Sequence, residues 1–278
     1  MGEKNAAGAA RMGVKHMNIS ISSYSFHGLL SEGRMDVFGF LESCKHRYGL
    51  DAVEIWNGTM GNNTEEDYLR KVRSGLDERE LTLACLCVDG PHVWVDDPAE
   101  RKAHYELALQ YLRAAEILGA RSLRMDMGGS GNALSGEQLD YVAGRYREYA
   151  VRAGNGGFRV GPETHWGPSL TPAVMKQVHD AVDHPAYGIL LHVGHWDGGP
   201  EQVRIGDALA SAWAMHTHID ANITTTCLEE KLRLLIAADY KGHFGVEHHS
   251  AKNEYWEVAW QLAELRRALV RLRGEKRA

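Results

Sequence analysis

Cysteine is scarce in this chain, with four in 278 residues, and their spacing predicts neither a disulfide nor a zinc framework. Cys85 and Cys87 are two apart in the apolar run LTLACLCVD, where a bridge within one strand is sterically poor. With Cys44 and Cys227 they are expected to be reduced core or pocket residues. An excess of basic residues is missing as well. The 31 Lys and Arg against 37 Asp and Glu leave a net charge of −6, which argues against a broad polyanion-binding surface and so against a nucleic-acid partner. No apolar run approaches the roughly 18 residues that cross a bilayer, so no membrane partner is expected. The start, MGEKNAAGAARMGVKH, has no apolar core of a secretory signal, and Ala6 breaks the myristoylation pattern. The cytoplasm is the expected compartment.

What the chain does have is a regular alternation of strand-like and helix-like segments. The first run, Asn18 to Ser23, opens onto Tyr24, Phe26 and His27, and helical periodicity follows from Met35 to Tyr48 with Gly49 as a left-handed cap. DAVEIW and EEDYLRKVRSGL make a second unit. LTLACLCVD begins a third, whose long helix opens on Asp97 and Pro98 and runs to Leu118. RSLRMDM, the turn GGSG and a helix from Gly136 to Ala153 follow. FRVGPE, YGILLH, WAMHTHID and GHFGVE complete eight strands, with helices opening at Thr171 and Pro172 and spanning Glu201 to Leu209, Leu228 to Ala238 and Asn253 to Leu272. No linker divides the units. The pattern predicts one α/β domain, a (β/α)₈ TIM barrel over residues 17–278 with its active site at the carboxyl ends of the strands. Eight units filling nearly the whole chain favour a closed barrel over an open doubly wound sheet. The first 16 residues fall outside the pattern, as an extension either disordered or laid over the barrel base.

Glu163, His192, His218 and Glu247 stand at or near the ends of four successive apolar runs, 29, 26 and 29 positions apart. One interval is about one strand-plus-helix unit, so two carboxylates and two imidazoles are delivered to the same barrel end. Such groups converging without a cation would be costly. The expectation is therefore a site for one divalent metal.

The segments VEIW, LRMDMGG, GPETHWG, LLHVGHW, HTHID and GVEHH resemble the sugar isomerase and epimerase barrels of the xylose-isomerase-like, AP-endonuclease type 2 superfamily, over about residues 18 to 272. The resemblance implies a metal held by Glu163, His192, His218 and Glu247, with Glu163 and Glu247 doubling as the acid/base pair. The family's second ligand is usually Asp, where this chain has His192. The ligand charge falls accordingly, which favours manganese, cobalt or zinc over magnesium. The abasic-site endonucleases are a poorer match, because their larger His-rich set and basic surface are not evident. The implied substrate is a small carbohydrate, and assembly into a homo-oligomer is left open.

Metal bound to neighbouring oxygens of a hydroxy-ketone would acidify the adjacent C–H, and a carboxylate could take or return that proton. If the proton returns elsewhere, the enzyme is an isomerase or epimerase. If a β-substituent leaves, it is a lyase of the inosose-dehydratase or keto-glycoside-cleaving kind. A sugar-binding barrel without catalysis is the third reading, disfavoured by two opposed carboxylates. His165 could protonate a leaving oxygen, and His195 resembles the substrate-contacting histidine of the epimerases. His249 lies two residues past Glu247, while His216 is expected to pack below His218. Trp56, Trp94, Trp166 and Trp196 follow strands and could either stack on a sugar ring or plug the barrel mouth. Arg124 and Asp126 are candidates to face the interior, Glu54 is either structural or substrate-binding, and the GGSG turn is a weak phosphate cradle.

Overall fold

The computed structural model describes residues 18–275; the predicted extension over 1–16 lies outside the described residues. The described residues form eight short strands: β1 (Ile19–Ile21), β2 (Ala52–Trp56), β3 (Thr82–Val88), β4 (Ser122–Met125), β5 (Arg159–Gly161), β6 (Ile189–His192), β7 (Ala214–Ile219) and β8 (Phe244–Val246). All pairings are parallel. They run β1-β8-β7-β6 in one half and β2-β3-β4-β5 in the other. Single bridges join the halves at both seams, Ser22 to Glu54 between β1 and β2, and Val160 to Tyr187 and Glu163 to Leu190 between β5 and β6. The strands therefore follow one another around a ring in chain order, as strand-then-helix repeats demand.

The crossover helices are α1 (Val37–Glu42), α2 (Glu66–Glu78), α3 (Pro98–Leu118), α4 (Gly136–Asn155), α5 (Pro172–Val182), α6 (Pro200–Ala210), α7 (Leu228–Ala237) and α8 (Glu254–Glu275). Their starts are chemical. The Asp97 side chain accepts from the amides of Ala99 and Glu100 ahead of Pro98, and Ser135 and Gln138 form a reciprocal capping box on α4. The helix expected from Met35 to Tyr48 is shorter and divided. Asp36 caps it by accepting from the Gly39 amide, so it cannot begin before Val37, and Ser43–Arg47 form a wider π-helical turn. None of the described helices is long and apolar enough to cross a membrane.

The main core lies between the outer faces of the strands and the helices, where Val53, Ile55, Leu83, Leu123 and Val160 pack with Phe40, Leu69, Tyr111, Leu112 and Tyr146. Inside the ring the apolar content shrinks to a separate small cluster of Cys85, Cys87 and Leu190. Much of the rest of the interior is ionisable: Glu54, Arg124, His216 and His218 are each no more than 4% exposed. A barrel filled with such groups instead of the usual branched aliphatics needs a polar purpose. Room for His216 comes from Gly245, where a Cβ would lie 2.9 Å from His216 Nε2 and 2.4 Å from the Thr217 carbonyl oxygen.

Candidate metal centre

Each of the four residues singled out by spacing ends a strand or follows one closely. His192 closes β6, His218 lies near the end of β7, Glu247 follows β8, and Glu163 follows β5 and bridges to Leu190. Register shifts between Val53 and Glu54 on β2, and between Ile189 and Leu190 on β6, fall just ahead of the site. Such bulges re-aim the side chains that follow.

The four side chains converge. Glu163 Oε1 lies 3.2 Å from His192 Nδ1 and 2.9 Å from His218 Nδ1, while Glu247 Oε2 lies 3.7 Å from the first imidazole and 3.2 Å from the second. Donors held about 2.1 Å from a common centre stand roughly 3.0 to 3.4 Å from one another. The observed edges bracket that spacing, and all four residues are buried. The set fits a divalent cation.

His218 is held from both sides. Its Nε2 lies 2.9 Å from both oxygens of Glu54, and His216 Nε2 lies 2.7 Å from Glu54 Oε2. With Nδ1 turned to the cage, Nε2–H donates to Glu54, an arrangement that fixes the ring and raises its basicity as a ligand. Burial alone would depress the His218 imidazole, but Glu247, Glu54 and Glu163 raise it well above the usual histidine range. Burial would likewise raise Glu163; His218 and Arg124, with bonds from His192 and His218, hold it well below the carboxylate range instead. Glu247 is pulled down against burial by His218 and a bond from His249. The carboxylates are held in the ionised state that ligates metal, and a cation entering the cage would displace the second proton of His218.

Above the cage is a cavity of about 240 Å³, lined among others by Tyr24, Trp56, Asp89, His165, His195 and His249. That is below the roughly 300–1,000 Å³ of drug-sized pockets, and suits one small polar molecule. His195 Nδ1 lies 3.0 Å from the Thr164 carbonyl oxygen. A carbonyl only accepts, so Nδ1 carries the proton and Nε2 is left as an acceptor. Burial and His192 push that imidazole down, towards the neutral form. His165 Nδ1 donates to Asp126 Oδ2 at 3.1 Å, and this carboxylate raises the imidazole against burial. His249 Nε2 donates to Glu247 Oε2 at 2.8 Å.

Of the four tryptophans expected near a substrate, only Trp56 lines the cavity, its Nε1 donating to Asp89 at 2.7 Å. Trp166 sits outside it, 36% exposed, with its edge on His92. Trp94 is buried under the Arg101 guanidinium, and Trp196 is buried with its Nε1 on Asp207. Both indoles are used up by packing, because the loops that carry them fold back onto helices. Arg124 borders the cavity but is 4% exposed, spent on Asp89, Asp126 and Glu163. Sequence reasoning left Glu54 undecided and passed over Asp89 and Tyr24. Asp89 carried the same signal as the four ligand candidates, a charged residue at the end of an apolar run.

The chain matches the family described as Xylose isomerase-like TIM barrel over residues 45–269. No curated protein matches its sequence. Among solved structures it is similar to a 3-keto-D-glucoside 4-epimerase from E. coli, at 16% identity and a TM-score of 0.71, with 90% of this chain and 99% of that chain covered. It is similar to a probable 3-DHS dehydratase from Bacillus anthracis at 16% identity and 0.68, covering 90% and 98%. A xylose isomerase-like TIM barrel protein from Mycobacterium smegmatis, in complex with magnesium, matches at 14% identity and 0.69, covering 92% and 99%.

Proposed function

Because the chain belongs to the xylose isomerase-like TIM-barrel family, we propose that it is a divalent-metal-dependent isomerase or epimerase of a sugar, keto-sugar or related polyol. The observation that carries this reading is the cage of Glu163 Oε1, His192 Nδ1, His218 Nδ1 and Glu247 Oε2 beneath a cavity for one small molecule. A set of two carboxylates and two imidazoles supports manganese over magnesium, with cobalt and zinc as alternatives. The bound cation would polarise the carbonyl of a hydroxy-ketone and acidify the C–H beside it.

This chain's own residues do the rest. Glu247 turns Oε2 to His192, His218 and His249, which leaves Oε1 to take a proton from carbon. Glu163, with Oε1 on the cage and Oε2 on Arg124, is the candidate partner of that pair and would deliver a proton to carbon after taking one from solvent or a substrate hydroxyl. His195 Nε2 accepts a substrate hydroxyl, and Trp56 with Tyr24 walls the sugar face. A lyase is the second reading, supported by the Asp126–His165 pair and by the similarity to a probable dehydratase. An imidazole oriented by a carboxylate is suited to protonate a leaving oxygen, which an epimerase does not require.

The test is incubation of manganese-loaded enzyme with a panel of keto-sugars in D₂O, followed by NMR. Deuterium should enter at the carbon beside the carbonyl and should cease in metal-loaded Glu247→Gln. Exchange at the wild-type rate in that variant would remove Glu247 as the base.

A further inference from the structure

One layer deeper in the barrel than the cage lies a second group of donors that the proposed reaction does not use. Glu54 on β2 is in register with Cys85 on β3, and Cys87 is the next inward residue of that strand. The three are fully buried, at 0%, 0% and 1% exposure. One donor atom from each lies within 4.8 Å of the other two, and the two Sγ atoms are 3.7 Å apart.

We propose that Glu54, Cys85 and Cys87 form a second cation site, for a thiophilic divalent ion such as zinc. Two thiolates about 2.3 Å from a tetrahedral zinc stand roughly 3.8 Å apart, which is the separation seen. Two cysteines alternating on one strand cannot close a disulfide without moving backbone, so the pair is preorganised for a shared ion and not for oxidation. The thiols pack with Leu190 in a small cluster set apart from the main core, in an interior that also holds the buried ionisable groups Glu54, Arg124, His216 and His218. Two thiolates would offset a divalent charge, and the Glu54 carboxylate, already contacted by His216 and His218, would complete the donor set. Entry is open, since Cys87 and Glu54 both reach the wall of the cavity above. The site shares Glu54 with the His218 contact, so the two ions would be coupled through one carboxylate, but its existence does not depend on the cage being occupied.

Cobalt titration of the metal-stripped full-length chain tests this, counting bound metal and recording the thiolate-to-cobalt charge-transfer absorption. Wild-type protein should take up two equivalents and show the band. Cys85→Ser and Cys87→Ser should each drop to one equivalent and lose the band, whereas His192→Ala should lose an equivalent and keep it. One equivalent with the band would leave this site standing and remove the cage instead. Absence of the band in wild-type protein, or its survival in the Cys85→Ser/Cys87→Ser double variant, would overturn the proposal. If the serine variants do not fold, X-ray absorption of zinc-loaded wild-type protein decides: sulfur in the zinc shell supports the site, and oxygen and nitrogen alone refute it.

Discussion

Arg124 Nε lies 3.0 Å from Glu163 Oε2, with both side chains no more than 5% exposed. Glu163 is thereby divided, one oxygen facing two imidazoles in the cage and the other a guanidinium. Arg124 in turn is held by the Val88 carbonyl, Asp89 and Asp126. These contacts make Arg124 a residue that positions Glu163 and keeps it ionised. Removing one partner of such a buried group strands the other charges, at about 3–5 kcal/mol. Arg124→Leu should therefore lose about that much stability in urea unfolding, and Arg124→Lys less. A stable Arg124→Leu variant would refute the arrangement.

The Glu54 carboxylate should tune the cage through His218. Supporting carboxylates of this kind are worth about 10–100-fold in metal affinity. Glu54→Gln should weaken manganese binding by about that factor in competition with a chelator. Unchanged affinity would mean that the His218–Glu54 contact has no bearing on the metal.

Asp207 on α6 reaches the loop after β6. It accepts from the Gly194 amide at 3.0 Å and from Trp196 Nε1 at 2.9 Å, and its other oxygen pairs with Lys231 at 3.1 Å. The residue between those two anchors is His195. Asp207→Ala should raise KM more than it lowers kcat, and Asp207→Asn, which keeps the acceptor, should recover most of the loss. Equal loss in both variants would point to the Lys231 charge and not to loop placement.

Isomerase and lyase separate at His165. General-acid assistance is commonly worth about 10² to 10⁴ in rate. If a β-substituent leaves, His165→Ala should keep hydrogen exchange at carbon while losing product formation by that factor. If the reaction is isomerisation, exchange and turnover should fall together. Full turnover in the variant would take His165 out of the mechanism.

Burial, with His216 and Arg121 nearby, pushes the His243 imidazole down to about 4 from 6.5. The unfolded chain takes up that proton first, so folding loses stability as pH falls from about 6.5 to about 4. In metal-free protein, the urea midpoint of wild type relative to His243→Gln should decline across that window. A constant gap would mean that the folded protein does not hold His243 neutral.

Much of the architecture was legible because strand and helix leave different periodicities, and capping residues such as Asp97 and Ser135 mark helix starts chemically. The cage was legible for a related reason. In a barrel of parallel strands, each strand end reaches the same face, so a spacing of one unit in sequence becomes convergence in space. The tryptophans show the limit. Trp56 ends β2 and Trp196 follows β6, yet one lines the cavity and the other points to Asp207.

The sequence by itself determined the eight repeats, the strand ends and which four donors would meet, since these depend on local periodicity and on parallel order. Only the tertiary structure decided how charge is shared: that Arg124 serves Glu163, that Glu54 supports His218, and that Asp126 orients His165. Those pairings join residues 39 to 164 positions apart. Side-chain length, ring orientation and the depth of each layer set them, and none of these leaves a period in the chain.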